Sequence, residues 1–295
     1  MIEVGGRPVH VVRRFTAAVA GQSRTFVLEA ACGWHAAMYA WIIEVLSLHG
    51  NVVAYDRAGL GWSPPSREIP DGEVRARELH ELLEALQLPG RLVFVGHSIA
   101  GLYLRIFERR YPERVAGLVF LDPTHPAVCT LPRELRPLEV RLRDAIAKAA
   151  SALRMKRLPF PLLRVDHTPW NGLPSEARTQ LSYLSRRVGV LATERAEMAM
   201  LADSCRQAQM PIGVGDVPLL VITGGIRTAE EMRYTADAPA FMSIWMALQK
   251  DLVLLSIRGS HHVVEGAGHR TLVTDRQFAL EACQQIAHFV VHHGI

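Results

Sequence analysis

Short apolar runs that alternate with longer segments of helical spacing constrain the fold of this 295-residue chain more than any other feature. Apolar runs bounded by turn residues are typical of buried strands, and strands joined through helices pair in parallel. The predicted strands are Val9 to Arg13, Thr25 to Glu29, Val52 to Tyr55, Leu92 to Val95, Ala116 to Leu121, Leu219 to Thr223 and His262 to Glu265. The predicted helices are Met38 to Leu48, Gly72 to Leu88, Ser98 to Tyr111, Phe241 to Leu255 and Arg276 to Val291. The pattern predicts an α/β fold in which helices flank a mostly parallel sheet.

The alternation stops after residue 125, and no strand-like run appears again before Leu219. Between these points Leu, Met and Ala recur at helical spacing among Arg and Glu. We therefore expect residues 126–213 to form an inserted helical lid on a core made of residues 1–125 and 214–295. A basic stretch runs from Arg133 to Arg164 within the lid. We expect it to be a solvated helix face, with contact to anionic lipid as the alternative.

Composition and charge argue against several classes of protein. Apolar residues make up 49% of the chain and charged residues 21%, which is ordinary for a globular protein and unlike a disordered one. The net charge of +4 is small and scattered, so we expect no nucleic-acid partner. The chain lacks the apolar runs of a membrane span or signal peptide, and its cysteines show no paired spacing. We expect a cytoplasmic protein without stable membrane contact.

The segment RLVFVGHSIAG, residues 91–101, joins a predicted strand to a predicted helix through a turn with Ser98 at its apex. A helix that folds back so sharply leaves little room two positions before and after the serine, where the chain has Gly96 and Ala100. The turn resembles the nucleophile elbow G-x-S-x-G of the α/β-hydrolases. This resemblance implies that Ser98 is a nucleophile and that the backbone N–H of Ile99 contributes to an oxyanion hole.

Two further segments strengthen the resemblance to the α/β-hydrolase family. VVAYDRAGLGWS, residues 52–63, is similar to the D-R-x-G-x-G-x-S loop of many members, and we interpret Asp56 and Arg57 as residues that stabilise this turn. HHVVEGAGHRTLVTD places His269 between the last predicted strand and the last helix, in a position similar to that of the family's histidine. A serine needs a neighbouring base to become a good nucleophile, so we predict that His269 is that base. We expect His97 to be a packing residue beside the elbow.

The acid that should orient the histidine has two possible positions in this sequence. In most relatives it follows the strand equivalent to Leu219 to Thr223, but this chain continues there with Ile226, Arg227 and Thr228. Asp122 ends the preceding strand, and this placement resembles the haloalkane dehalogenase branch of the family. We therefore predict that Asp122 is the acid. The alternatives are the later residues Glu230, Glu231 and Asp237.

The second oxyanion donor in relatives comes from the loop after the strand Thr25 to Glu29. Relatives carry His-Gly at the start of this loop, whereas this chain carries Glu29 followed by two alanines. Because a backbone donor does not require a particular side chain, we predict that Ala31 supplies the N–H. We expect Trp34 and Trp62 to form walls of an acyl pocket and His125 to line its mouth.

These features predict a serine hydrolase that cleaves a hydrophobic carboxylic ester, thioester or lactone, with no metal or organic cofactor. Its expected partner is a small apolar acyl substrate. Haloalkane dehalogenase and epoxide hydrolase are disfavoured because both carry an aspartate at the elbow. Two alternatives remain open. One is an aminopeptidase of the proline-releasing kind, which would hold a substrate ammonium with Glu176, Glu194 or Glu197, and the other is a receptor for a small apolar ligand with little turnover.

Overall fold

A mostly parallel sheet forms the centre of the protein. The structure is a computed structural model that describes residues 1–15, 24–130, 170–184, 187–209, 213–228 and 238–295. The strands of these residues are β1 (Ile2–Val4), β2 (Arg7–Val9), β3 (Val11–Arg14), β4 (Thr25–Glu29), β5 (Asn51–Tyr55), β6 (Leu92–His97), β7 (Val115–Leu121), β8 (Leu219–Gly224) and β9 (Gly259–Val264). β3 to β9 form one sheet in the order β3-β5-β4-β6-β7-β8-β9. β3 is antiparallel to β5 and the other neighbours are parallel, which confirms the predicted fold class.

Helices cover both faces of this sheet. Those of the described residues are α1 (Ala40–Leu46), α2 (Gly72–Ala85), α3 (Ala100–Arg110), α4 (Ser175–Leu184), α5 (Val188–Ala199), α6 (Leu201–Ala208), α7 (Ala238–Val253), α8 (Thr271–Thr274) and α9 (Arg276–His293). Short 3-10 turns lie at Ala36–Tyr39, Pro112–Arg114 and Pro126–Thr130. The carboxylates of Asp71 and Asp275 cap α2 and α9, since each accepts a hydrogen bond from an N–H in the first turn.

The order of the strands creates a crevice beside β6. β4 lies between β5 and β6, so the chain leaves β4 toward one edge of the sheet and leaves β6 toward the other. Ligands of open α/β sheets bind where connections diverge in this way, outside the carboxyl ends of the strands. The loop after β4, here called the β4 loop (residues 30–33), and the turn at Ser98 both begin at this point.

Side chains of the central strands alternate between two apolar clusters, as the pleat of a β-strand requires. Leu28 belongs to the cluster that includes Ile42 of α1 and Ile286 of α9. Its neighbour Val27 belongs to the other cluster, which includes Phe107 of α3. Strands buried on both faces explain why these runs of sequence are almost continuously apolar.

Residues 126–213, which the sequence predicts to be an inserted lid and which are here called the insertion, contain α4, α5 and α6 between β7 and β8. Trp170 and Leu181 pack into one apolar cluster of the core, and Cys205 packs into the other, where its thiol lies 3.0 Å from the thiol of Cys129. The described part of the insertion is therefore helical and packs against the core at both clusters. The basic stretch from Arg133 to Arg164 lies outside the described residues.

The N-terminus differs from the sequence prediction of one strand from Val9 to Arg13. β1 and β2 pair as a hairpin, and the chain then enters β3. Gly5 and Gly6 have positive φ angles of 54° and 79°, the conformation that a two-residue hairpin turn requires and that glycine adopts readily. The Gly-Gly pair was the sequence signal for this hairpin.

Two glycine-to-alanine substitutions test the packing at the elbow. A Cβ at Gly96 would lie 2.6 Å from Leu104 Cδ1, whereas one at Gly189 in α5 would meet nothing within 4 Å. We expect Gly96→Ala to lower the free energy of unfolding by about 1–3 kcal/mol through overpacking. Gly189→Ala should raise it by roughly 0.5–1 kcal/mol, because alanine loses less backbone entropy on folding. Urea denaturation of both variants measures this, and equal effects would contradict the packing at Gly96.

Candidate active site

Ser98 occupies a strained turn between β6 and α3. Its φ angle is 60°, a left-handed conformation that costs a non-glycine residue roughly 1–3 kcal/mol. Two backbone hydrogen bonds hold the turn, from the Ser98 N–H to Leu121 O at 3.1 Å and from the Thr124 N–H to Ser98 O at 2.8 Å. The loop after β7 therefore supports the turn, and the side chain of Ser98 is half-buried at the crevice.

The fold brings the predicted residues Ser98, His269 and Asp122 into one chain of hydrogen bonds. His269 Nε2 lies 3.1 Å from Ser98 Oγ, and His269 Nδ1 lies 2.6 Å from Asp122 Oδ2. An ionised carboxylate can only accept hydrogen bonds, so Nδ1 carries the proton and Nε2 of the neutral ring is free to accept from the Ser98 hydroxyl. The alternative acids Glu230, Glu231 and Asp237 lie outside the described residues.

Asp122 is fully buried, and two side chains that the sequence analysis missed bind it. Arg227 NH1 donates to Oδ2 at 2.8 Å, and Trp245 Nε1 donates to Oδ1 at 2.9 Å. Burial would raise the pKa of Asp122, but the Arg227 cation and the hydrogen bond from His269 outweigh it and hold that pKa far below its usual value. Arg227 follows β8, where most relatives carry their acid. A basic residue in this position was the available sequence signal that a cation binds an acid placed elsewhere.

His97 links the loop that carries His269 to the β4 loop. Its Nε2–H donates to the backbone oxygen of His269 at 2.9 Å, so its Nδ1 accepts from the Tyr39 hydroxyl at 3.0 Å. Burial lowers the pKa of His97 to about 3, which keeps the ring neutral. The Tyr39 oxygen accepts the N–H of Ala31 at 2.8 Å. This arrangement gives no support to the prediction that Ala31 supplies the second oxyanion donor, because its N–H is bound inside the protein.

The N–H of Ile99 lies at the N-terminus of α3, and its role in an oxyanion hole stays a prediction. Ile99 immediately precedes α3, and within the part of the chain that the structure describes its N–H has no hydrogen-bond partner. An unpaired N–H at a helix N-terminus, next to a nucleophile, is suited to bind a developing negative charge.

The model of the alpha/beta hydrolase family matches residues 27–282. The chain belongs to the alpha/beta hydrolase family. The chain is 27% identical over 136 residues to a human (lyso)-N-acylphosphatidylethanolamine lipase, and the match covers 44% of this chain and 38% of the lipase. It is 34% identical over 104 residues to a probable esterase, PIR7A, of Oryza sativa subsp. indica, which covers 35% of this chain and 40% of the esterase. These matches thus span less than half the length of either relative.

Solved structures share the fold of this protein over nearly the whole chain. An esterase from Thermogutta terrifontis aligns with a TM-score of 0.64 and 18% identity, covering 100% of this chain and 98% of the esterase. The epoxide hydrolase CorEH aligns with a TM-score of 0.69 and 18% identity, covering 98% of this chain and 97% of that enzyme. At this level of identity the comparison establishes the fold and leaves the substrate open.

The three residues predicted to form the substrate pocket have different surroundings in the structure. The ring of Trp34 lies 5.1 Å from the ring of His97 and 5.1 Å from that of Trp170 in the insertion, which places it beside the elbow. Trp62 is 39% exposed and stacks on Tyr183. Its described ring contacts do not reach the Ser98 turn, so the structure gives the pocket assignment of Trp62 no support.

His125 is bound outside the hydrogen-bond chain of Ser98. Its Nε2 lies 3.0 Å from Asp251 Oδ2, and its Nδ1 accepts the N–H of Ala127 at 3.0 Å. These contacts tie the loop after β7 to α7. His125 therefore stabilises a loop beside the elbow, and its hydrogen bonds give no support to a role at the pocket mouth.

The Asp56 carboxylate stabilises the turn around residues 52–63, as its sequence context indicated. Asp56 Oδ1 accepts the N–H of Ala36 at 2.8 Å, and Oδ2 accepts the N–H of Trp62 at 2.9 Å. The neighbouring Arg57 is buried between two carboxylates, Glu29 and Glu197. Both residues act within the protein and neither contacts Ser98 in the described structure.

Two classes of feature are not found in the described residues of this protein. No group of three or more His, Cys, Asp or Glu side chains there is arranged to hold a metal ion. No helix there is long and apolar enough to cross a membrane.

Removal of the Arg227 cation tests the electrostatics of Asp122. We expect Arg227→Met to lower the free energy of unfolding at neutral pH by roughly 3–5 kcal/mol, since it leaves a buried anion without its cation. Arg227 lowers the pKa of Asp122 in the folded protein. The stability that this ion pair contributes is therefore present at pH values above the carboxyl pKa of the unfolded chain, and it is lost as the pH falls toward the lowered pKa of the folded protein. The difference between wild type and Arg227→Met should therefore narrow on acidification.

Urea unfolding at several pH values between neutral and acidic conditions measures this difference. Arg227→Lys is the matched control, because it retains a cation and should lose less stability than Arg227→Met. A difference that stays constant with pH would contradict the assigned role of the cation.

Proposed function

We propose that the hydrolase cleaves a hydrophobic carboxylic ester, thioester or lactone through an acyl-enzyme on Ser98. The observation that carries this proposal is the hydrogen-bond chain from Ser98 Oγ through His269 to Asp122, with distances of 3.1 Å and 2.6 Å. A nucleophile bonded to a base, which is in turn oriented by a buried anion, is the arrangement that acyl transfer requires.

The proposed reaction has two stages. Ser98 Oγ attacks the acyl carbonyl while His269 Nε2 takes its proton, and Asp122 stabilises the imidazolium that forms. The negative charge on the carbonyl oxygen is bound by the Ile99 N–H. His269 then protonates the leaving alcohol or thiol. In the second stage His269 takes a proton from water, which attacks the acyl-enzyme, and the proton returns to Ser98 as the acid is released.

The residue at the apex of the elbow favours acyl transfer over opening of an epoxide. The structural neighbours include both an esterase and an epoxide hydrolase, so the fold itself is compatible with either reaction. Epoxide opening in the related branch of the family depends on an aspartate at the elbow, where this chain has Ser98. A serine adds to a carbonyl and forms an ester that water can cleave.

Aromatic side chains beside the elbow support an apolar acyl group. Trp34 and Trp170 pack edge to face with their ring centroids 5.1 Å apart, and the ring of Trp245 lies 6.3 Å from that of His269 on another side. Such surfaces bind apolar groups because water is released from both partners. We therefore place the apolar part of the substrate against Trp34.

The aminopeptidase alternative is not favoured, because arginine side chains already balance the negative charge of Glu197. Its carboxylate is fully buried and forms ion pairs with Arg57 and Arg75. Glu176, another candidate for the substrate ammonium, is exposed on α4. The third candidate, Glu194, lies beside the β4 loop, since a Cβ added to Gly33 would lie 2.6 Å from its Cγ.

Covalent labelling and an ester panel test the proposed function. A fluorophosphonate probe should label Ser98 and no other serine, as peptide mapping would reveal. Nitrophenyl esters of increasing acyl length should be cleaved faster than an amino-acid anilide, and Ser98→Ala should lose both labelling and turnover. Labelling without turnover would favour the receptor alternative, and label on a different serine would contradict the assignment of Ser98.

Asp122→Asn tests the acid. We expect folded protein with kcat lowered about ten thousand-fold, because the amide favours the wrong imidazole tautomer and cannot stabilise the cation. Steady-state kinetics with circular dichroism as a check on folding measure this. Asp251→Asn is the matched control, since Asp251 is exposed and bonded to His125. Glu230→Gln, Glu231→Gln and Asp237→Asn should be mild, and a larger loss in any of them would move the acid to that residue.

A further inference from the structure

Glu197 extends from α5 of the insertion into the core of the protein. Its Oε1 accepts hydrogen bonds from Arg57 Nε at 2.8 Å and from Arg75 NH2 at 2.9 Å. Its Oε2 accepts from Arg57 NH2 at 3.0 Å and from the backbone N–H of Gly33 at 3.1 Å. The side chain is 0% exposed, so a charged group of the insertion is held by two cations of the core and by the β4 loop at once.

Arg57 continues these contacts along the β4 loop. Its NH1 group donates to Glu29 Oε1 at 2.7 Å and to Ala30 O at 2.6 Å, and its NH2 group donates to Ala31 O at 2.8 Å. Arg57 and Glu197 together therefore bind three backbone groups of a loop that has only four residues. The planar guanidinium fixes the directions of these bonds as well as their lengths.

The β4 loop lies next to the proposed nucleophile. β4 pairs in parallel with β6, and Glu29 is in register with Gly96. The loop therefore leaves the sheet beside the turn that carries Ser98. The loop borders the crevice at Ser98, so its conformation shapes the side of the site in which a substrate carbonyl would be bound.

We propose that Glu197 is a positioning residue, through which the docked insertion holds the β4 loop in the geometry that binds the oxyanion. This inference rests on the proposed function and adds a dependence of catalysis on the insertion. Displacement of α5 would remove the bond to Gly33 and leave Arg57 and Arg75 in the protein interior without this shared anion. Because unpaired buried charges are strongly unfavourable, the docked position is the stable one.

The charges around Glu197 support this assignment. The buried groups alternate in sign, from Glu29 to Arg57, Glu197, Arg75 and Glu78. Burial would raise the pKa of Glu197, but Arg57 and Arg75 outweigh it and lower that pKa to about 2. Glu197 is therefore an anion at neutral pH. Glu29, which stands where relatives carry histidine, is part of the same network.

The matched variants Glu197→Gln and Glu78→Gln test the proposal. Each removes one negative charge from the network without changing its volume, but Glu78 contacts Arg7 and Arg75 and does not touch the β4 loop. We expect Glu197→Gln to lower kcat by about 100-fold with little change in KM, as for the loss of one oxyanion donor. Glu78→Gln should retain the kcat of wild type.

Two further readouts separate positioning from a general loss of structure. The affinity for a trifluoromethyl ketone, which adds to the serine and forms an oxyanion, should fall by the same factor as kcat in Glu197→Gln. Amide hydrogen exchange of the peptide that contains residues 30–33 should become faster in this variant and remain unchanged in Glu78→Gln. The enzyme concentration is corrected for the fraction of folded protein. A loss of stability therefore does not imitate the change in ketone affinity or in amide exchange.

The results of these experiments distinguish a failure of the positioning role of Glu197 from a failure of the proposed function. A wild-type protein that cleaves no ester and binds no ketone would overturn the proposed function, whereas exchange at residues 30–33 would still measure whether Glu197 positions the loop. Unchanged exchange in Glu197→Gln, or unchanged kcat in an active enzyme, would overturn the positioning role. If Glu197→Gln does not fold, the pair Arg75→Met with Glu197→Gln removes one charge of each sign and should fold with the same loss of kcat.

Discussion

The Asp122 carboxylate is fully buried at the end of β7, and it stays ionised there because donors from other elements surround it. His269 follows β9, Arg227 follows β8 and Trp245 lies on α7. An isolated buried carboxylate would cost several kcal/mol, so the fold is most stable when all these donors are in place. The bonds that orient the proposed base therefore also hold the ends of the last strands together.

A second set of buried contacts holds the opposite side of Ser98. Arg57 binds the β4 loop, and Tyr39 and His97 connect this loop to the backbone of His269. The two flanks of the nucleophile are thus linked by hydrogen bonds beneath it. Donors held in advance at fixed positions stabilise a developing charge without reorganisation during the reaction, which is a main source of rate enhancement in enzymes. The buried polar side chains of this protein hold the two flanks of Ser98 in such fixed positions.

The local sequence was sufficient to predict a structural feature wherever the interactions that form this feature join residues close together in the chain. The strand Thr25–Glu29 was predicted with its bounds, because a run of apolar residues between turns is itself the signal. The turn at Ser98 was predicted because its strain requires small residues within two positions, at Gly96 and Ala100. Asp122 and His269 could be found because each follows a predicted strand in a segment that resembles the corresponding segment of the α/β-hydrolase family.

The sequence by itself determined the fold class and the proposed nucleophile, base and acid, whereas the tertiary structure decided which groups surround them. Ala31 looked like an oxyanion donor, but its N–H is bound to Tyr39, whose ring reaches it only in the folded protein. Arg57 and Glu197 are 140 positions apart. In the sequence Arg57 indicated a turn residue and Glu197 a possible carboxylate for a substrate ammonium, because no short-range pattern records a contact between distant segments. Only packing of α5 against the core brings them together, and burial then makes their pairing obligatory.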